Sequence, residues 1–399
     1  MVKHKYFWAI LFFLVALVAI WLVSTLNLNN FPKPTGAFGV GKISYHLTDI
    51  SRKETNIKVD SPRELMLHIH YPAATQAQGP CMFYDADALQ NMKGFVHLLT
   101  KLPIWLLHGL DCTKTYAQIN APIANEQKTY PVILMLHGSG TMIQHYTWIG
   151  EELASHGYIV VGINHPYMAA VTRFLDDRVI TSLVHQKKAE GEHISKAWKQ
   201  EQFEVAVQDI NFVINNLAML NQQTTLAIHN KLDLEQIGIC GHSSGGSLSM
   251  RMCLENKRIK AGISLDGNIR GSEGLVPFTT PFLVILAQKS HVHQGQDGQQ
   301  NLEKLIQLCH KPDMQMTIMT FKGIGHGTFC DLPLLLHETF LTQFLSHIID
   351  VDINASSSRA RTAIKKAKSY MINFFDHYLR NQSTPLLVHQ TCDMVVDID

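Results

Sequence analysis

The sequence lacks an excess of charge of either sign. Lysines and arginines number 34 against 33 aspartates and glutamates, a formal net charge of +1. Proteins that grip a phosphate backbone carry a basic surplus, so this balance argues against a nucleic-acid partner. No Cys-x-x-Cys pair occurs among the seven cysteines, and no His-Glu-x-x-His run among the 22 histidines. Zinc sites are commonly built on such spacings, so neither a metal nor another cofactor is expected. Internal repeats and long low-complexity tracts are also missing, and proline and glycine are nowhere concentrated. That argues against repeat architectures. Hydrophobic residues make up 46% and charged residues 17%, which suits a globular chain with a large core.

One segment stands apart. Lys3, His4 and Lys5 precede an apolar run from Tyr6 to Leu26, broken only by Ser24 and Thr25. The run matches the roughly 20 residues that a membrane-spanning helix needs. A secretory signal has a shorter apolar core and usually a small-x-small cleavage site, and no Ala-x-Ala follows here. Residues 1–26 are expected to form an uncleaved anchor, with a cleaved signal as the alternative. Lysines ahead of such a helix stay cytoplasmic, which would put the rest of the chain in the periplasm, lumen or extracellular space. Some cysteines should pair in that oxidising setting, and an odd number leaves at least one thiol free. A bridge between Cys81 and Cys112 would staple the insertion they bracket, although spacing alone fixes no connectivity. Cys240 and Cys253 lie in apolar surroundings and read as buried thiols.

Residues 27–41, with Asn, Pro and Gly, read as a linker, and 42–399 as one domain. Arg63 to Tyr71 alternates like a strand, whereas Pro131–His137, Tyr158–Asn164, Gln236–Gly241, Ala261–Asp266, Pro281–Ala287 and Met314–Phe321 are short apolar runs. Such runs fit strands buried on both faces. Helices are expected at 145–156, 195–220, 245–255, 301–310, 332–349 and 359–379. Strands alternating with helices imply an α/β fold with a mostly parallel sheet covered on both faces. Residues 82–128 and 166–195 interrupt the alternation and read as insertions capping the site like lids.

The most informative motif is Gly241-His242-Ser243-Ser244-Gly245, a G-x-S-x-G between an apolar strand and a helix. In that context the pattern is a nucleophile elbow, and the α/β-hydrolase fold is expected. The turn presents the Ser243 hydroxyl at the carboxyl end of the sheet, where the helix also points its N–H groups. A serine hydroxyl needs a base, and His326 in Gly323-Ile324-Gly325-His326-Gly327 follows the last apolar strand. His291, His293, His310 and His337 read as structural or solvated. Asp266 ends the strand after the nucleophile helix and is the expected acid. Many hydrolases of this fold carry the acid one strand later, but Gln288-Lys289-Ser290-His291 there offers no carboxylate. The oxyanion hole needs two N–H groups, expected from Ser244 and from Ser139 in His137-Gly138-Ser139-Gly140.

These motifs, in this order, resemble the platelet-activating-factor acetylhydrolase family, its plasma and intracellular type II enzymes. The likeness runs from about Leu47 to Leu379. It includes Leu47-Thr48-Asp49 with Ser51-Arg52, Pro62-Arg63-Glu64-Leu65, Tyr71-Pro72-Ala73, His137-Gly138-x-Gly140 and Leu153-Ala154-Ser155-His156-Gly157-Tyr158. It continues through Gly241-His242-Ser243-x-Gly245-Gly246, Leu265-Asp266 and Gly325-His326. The resemblance implies an acid after the strand that follows the nucleophile, hence Asp266. It also implies calcium-independent hydrolysis of short or oxidised sn-2 acyl chains of phospholipids. Ser139 stands where the family usually has an apolar residue, Ser244 replaces an aromatic, and Gly267-Asn268-Ile269 replaces an aromatic and apolar stretch. Each change makes the pocket more polar.

The leading expectation is an extracytoplasmic serine esterase acting on short-chain or phospholipid esters. A general carboxylesterase, or a polyester or dienelactone-like hydrolase, is the alternative enzyme. An inactive anchored binding module on a hydrolase fold is the reading from another class.

Overall fold

The computed structural model describes residues 31–56, 60–74, 114–269, 279–290, 293–335, 357–383, 392 and 394–398. The strands are β1 (Gly39–Lys53), β2 (Pro62–Ala73), β3 (Ala117–Ile119), β4 (Tyr130–Leu136), β5 (Ile159–Asn164), β6 (Val171–Arg173), β7 (Val179–Thr181), β8 (Leu232–His242), β9 (Ile259–Leu265), β10 (Phe282–Ala287), β11 (Met316–Phe321) and β12 (Met394–Val396). The helices are α1 (Thr147–Ser155), α2 (Leu183–Ala189), α3 (Lys196–Asn221), α4 (Ser244–Glu255), α5 (Gly295–Cys309), α6 (Leu332–Leu335) and α7 (Ser357–Arg380). Serines open two of them: the Ser182 and Ser195 hydroxyls accept from the N–H groups of His185 and Trp198. Each cap satisfies a donor that the first helical turn leaves unpaired.

Ten strands form one sheet in the order β12-β11-β10-β9-β8-β4-β5-β2-β1-β3. β2 is antiparallel to both neighbours, β1 and β5, while every other pairing in this sheet is parallel. Side chains alternate across a strand, so a strand buried on both faces feeds two cores. Ile133 and Met135 of β4 join one core with Trp148 of α1 and Phe375 of α7, whereas Val132, Leu134 and Leu136 join the other with Phe203 of α3 and Leu248 of α4. Likewise Leu283 and Ile285 of β10 face the first core, and Phe282, Val284 and Leu286 the second. This is the α/β-hydrolase architecture, with the mostly parallel sheet expected from the apolar runs and the fold expected from the elbow motif.

The differences lie at the edges. β1 is a long strand that begins inside the stretch read as linker. It pairs with β2 from Gly39↔Ala73 to Lys53↔Pro62. Of the insertion expected over 82–128, residues 82–113 lie outside the described residues, and β3 beyond them adds a strand beside β1. The helix expected over 145–156 starts with a 3-10 turn, Ile143–Tyr146, before α1. Of the helix expected over 332–349, the described part is α6, and the remainder lies outside the described residues. Cys309 at the end of α5 is bridged to Cys392 just before β12. The bridge imagined between Cys81 and Cys112 lies outside the described residues. Cys240 and Cys253 are free and buried, and burial pushes the Cys240 thiol up to about 12. The apolar segment 6–26 also lies outside the described residues. Among those described, no helix is long and apolar enough to cross a membrane.

Candidate active site

β8 runs into α4 through a bend with no room for side chains. A Cβ on Gly241 would lie 2.4 Å from the Gly245 carbonyl carbon, and one on Gly245 would lie 2.5 Å from the Leu136 carbonyl oxygen. Ser243 sits at the apex with φ 56° and ψ −121°, a conformation that costs a non-glycine residue free energy and is held by its surroundings. The Ser243 N–H donates to the Leu265 carbonyl at 2.9 Å, which ties the bend to the end of β9.

Asp266 follows β9, also with positive φ, and is fully buried. Its own N–H donates to Ile285 O at 2.7 Å, and Oδ1 accepts the Ala287 N–H at 2.8 Å. His326 lies just beyond β11, in a 3-10 turn over His326–Phe329. Its Nδ1 donates to Asp266 Oδ2 at 2.6 Å. Burial works against the Asp266 charge, but hydrogen bonds from His293 and His326 outweigh it and hold the carboxyl well below the usual carboxylate range. The His326 ring packs on that of His242, with centroids 4.4 Å apart. The structure thus brings Asp266 and His326 together beside the Ser243 bend, although the three lie far apart in the chain.

The loop after β4 approaches the same place. A Cβ on Gly138 would lie 3.2 Å from the Ser243 Cβ. The Gly138 N–H donates to the Tyr146 hydroxyl at 3.2 Å, and the Gly140 N–H to Met168 O at 3.1 Å. The Ser139 N–H has no partner among the described residues, and Ser139 is exposed. Ser244 is the first residue of α4, where a backbone N–H has no acceptor inside the helix. Its side-chain hydroxyl is buried and also lacks a partner among the described residues. The insertion at 166–195 is pinned to this loop. The Ala170 N–H donates to Thr141 O at 2.8 Å, and α2 sets His185 against Gly140.

Several neighbours escaped the sequence reading. His242 Nε2 donates to the His326 carbonyl at 3.0 Å, so its Nδ1 accepts from the Tyr146 hydroxyl, also at 3.0 Å. This chain of bonds joins the Gly138 loop to the His326 turn. The only sequence signal was the position of His242 inside the elbow motif. Beneath the loop, the His165 N–H donates to His137 Nε2 at 3.2 Å, so His137 Nδ1 donates to Gly138 O at 2.8 Å. Burial above all pushes His137 down to about 3 and keeps it neutral. His165 Nδ1 donates to buried Asp209 at 3.0 Å, which also takes Arg63 Nη2 at 2.7 Å and Arg52 Nη2 at 2.9 Å.

His293 must be corrected. It is not solvated: its side chain is 8% exposed, and Nε2 donates to Asp266 Oδ1 at 2.9 Å. His310 is exposed, as a solvated residue should be. His291 and His337 lie outside the described residues.

The model of the family described as platelet-activating factor acetylhydrolase, isoform II, matches residues 24–383. The chain belongs to this family. A probable 1-alkyl-2-acetylglycerophosphocholine esterase of Arthroderma benhamiae is 25% identical, over 89% of this chain and 90% of that protein. A platelet-activating factor acetylhydrolase of Cavia porcellus is 26% identical, over 90% of this chain and 80% of that protein. Among solved structures, a ferulic acid esterase from Streptomyces cinnamoneus aligns with a TM-score of 0.70 at 23% identity, over 91% of this chain and 96% of that one. That likeness shows the shared fold. As a member of the isoform II acetylhydrolase family, the chain is a serine hydrolase of carboxylic esters.

Proposed function

We propose that this enzyme cleaves short-chain or sn-2 phospholipid esters through an acyl intermediate on Ser243, without calcium. The Asp266–His326 contact of 2.6 Å beside the elbow is the observation that carries the reading. With Nδ1 bonded to Asp266, the other ring nitrogen of His326 takes the Ser243 proton as the hydroxyl oxygen attacks the ester carbonyl. The Ser139 and Ser244 N–H groups stabilise the oxyanion, each by on the order of 3 kcal/mol. Collapse of the tetrahedral species expels the alcohol, which takes the proton back from His326. Water, deprotonated by the same nitrogen, then releases the acid and regenerates Ser243. Asp266 keeps the imidazole in the required tautomer and stabilises its cation. Ser243→Ala should lower turnover of a short nitrophenyl ester about 10⁴-fold or more while leaving the unfolding temperature unchanged. Retained turnover in the purified variant would refute the assignment.

A second reading, a general carboxylesterase, draws support from two hydroxyls. Ser139 is exposed and Ser244 Oγ is buried without a partner among the described residues, and both favour polar groups over bare hydrocarbon. Faster turnover of short nitrophenyl esters than of an sn-2 acetyl phospholipid would favour that reading, and the reverse the first.

The hydrolase domain, which includes β1 from Gly39, acts outside the cytoplasm behind an anchor at 1–26. The Cys309–Cys392 bridge supports this, since disulfides persist in oxidising compartments. Recovery of the full-length chain in the soluble cytoplasmic fraction would contradict it.

A further inference from the structure

We propose that His293 is a positioning residue for the reaction, a second imidazole that holds the acid of the triad from its far side. The inference rests on the assignment of Ser243, Asp266 and His326 made above. His293 follows β10, where many hydrolases of this fold carry the acid itself. Here the acid is one strand earlier, and the β10 loop returns an imidazole to it. Asp266 Oδ2 faces His326, while Oδ1 accepts from His293 Nε2 at 2.9 Å and from the Ala287 N–H at 2.8 Å.

These three bonds fix both oxygens of a carboxylate with no exposed surface. A carboxyl group turns about one bond, so locking Oδ1 also sets where Oδ2 points. Removing one of the two Oδ1 donors leaves the Ala287 N–H alone to resist that rotation. It also leaves part of the charge of a buried anion unmatched. Both effects act on the group that orients His326, and neither touches bound substrate. The loss should therefore fall on kcat and spare KM.

The test uses the full chain, three substitutions and a short nitrophenyl ester. Glutamine presents its amide nitrogen about where Nε2 of histidine lies, whereas the shorter asparagine presents it nearer Nδ1. His293→Ala and His293→Asn should lower kcat about tenfold with KM within about twofold of the parent. His293→Gln should recover most of the loss. If the alanine variant fails to fold, the glutamine and asparagine pair carries the comparison alone. Equal kcat in the parent and the asparagine variant would overturn the proposal. So would a glutamine variant as slow as the asparagine one, because His293 would then act only through packing. Ser243→Ala separates this failure from failure of the triad. An inactive Ser243→Ala with indifferent His293 variants removes only the role of His293, whereas an active Ser243→Ala removes the triad itself.

Discussion

Two buried carboxyls show how much their immediate partners decide. Asp266 is surrounded by donors and stays ionised. Glu151 of α1 accepts from the Tyr116 and Ala117 N–H groups through Oε1, both at 2.7 Å, while Oε2 has no partner among the described residues. Burial prevails there and pushes Glu151 up to about 7. A folded-state value above the ordinary one of 4.5 means that the folded chain holds a proton the unfolded chain releases. The resulting stability is complete below about pH 4.5 and is lost as the pH rises through about 7. Glu151→Gln keeps the acceptor and removes the titration. Its stability should therefore vary less across that window than the parent's, by on the order of 3 kcal/mol. Denaturant unfolding at several pH values measures this, and parallel curves for the two proteins would contradict it. Neither residue's state could be read from the sequence. The Oδ1 partner of Asp266 depends on how the segment after β10 folds back, and Glu151 looks like any helical glutamate until β3 is laid over it.

At the scale of elements, the junction of β8 and α4 was the most legible part of the chain. An apolar strand, a G-x-S-x-G and a helix leave little choice of geometry, and the structure adds the steric reason. The Gly245 position faces the Leu136 and His137 carbonyls, so any Cβ there separates α4 from the end of β4. Gly245→Ala should cost about 1–3 kcal/mol of stability and move the Ser243 hydroxyl as well. A variant with the parent's unfolding free energy and turnover would show that α4 and β4 separate at no cost. The edge strands were illegible for physical reasons. β3 and β12 have three residues each, too few to show a period. β1 carries polar and charged residues along its exposed side, and its first residues sit among the Pro and Gly of an apparent linker.

Across the whole molecule, the sheet was legible because its central strands are nearly pure hydrocarbon, and only burial on both faces suits such runs. Connectivity of the cysteines was not, since a bridge depends on which chain ends the fold brings together. Cys309 and Cys392 are separated by 83 positions, and their bond fastens the β12 end of the sheet to α5. Closing a loop of that length should contribute on the order of 4 kcal/mol. Cys309→Ser should lower the thermal unfolding temperature, and reductant should lower the parent's by more than the variant's. Equal unfolding temperatures with and without reductant would remove the bridge from the account.

The central claim is that Ser243, Asp266 and His326 act together, and active-site labelling tests it most directly. A fluorophosphonate should place one adduct on the purified chain, and peptide mass spectrometry should locate it on Ser243. Asp266→Asn and His326→Ala should slow its formation about 10³-fold or more. An adduct on another residue, no adduct, or unchanged labelling rates in both variants would contradict the claim.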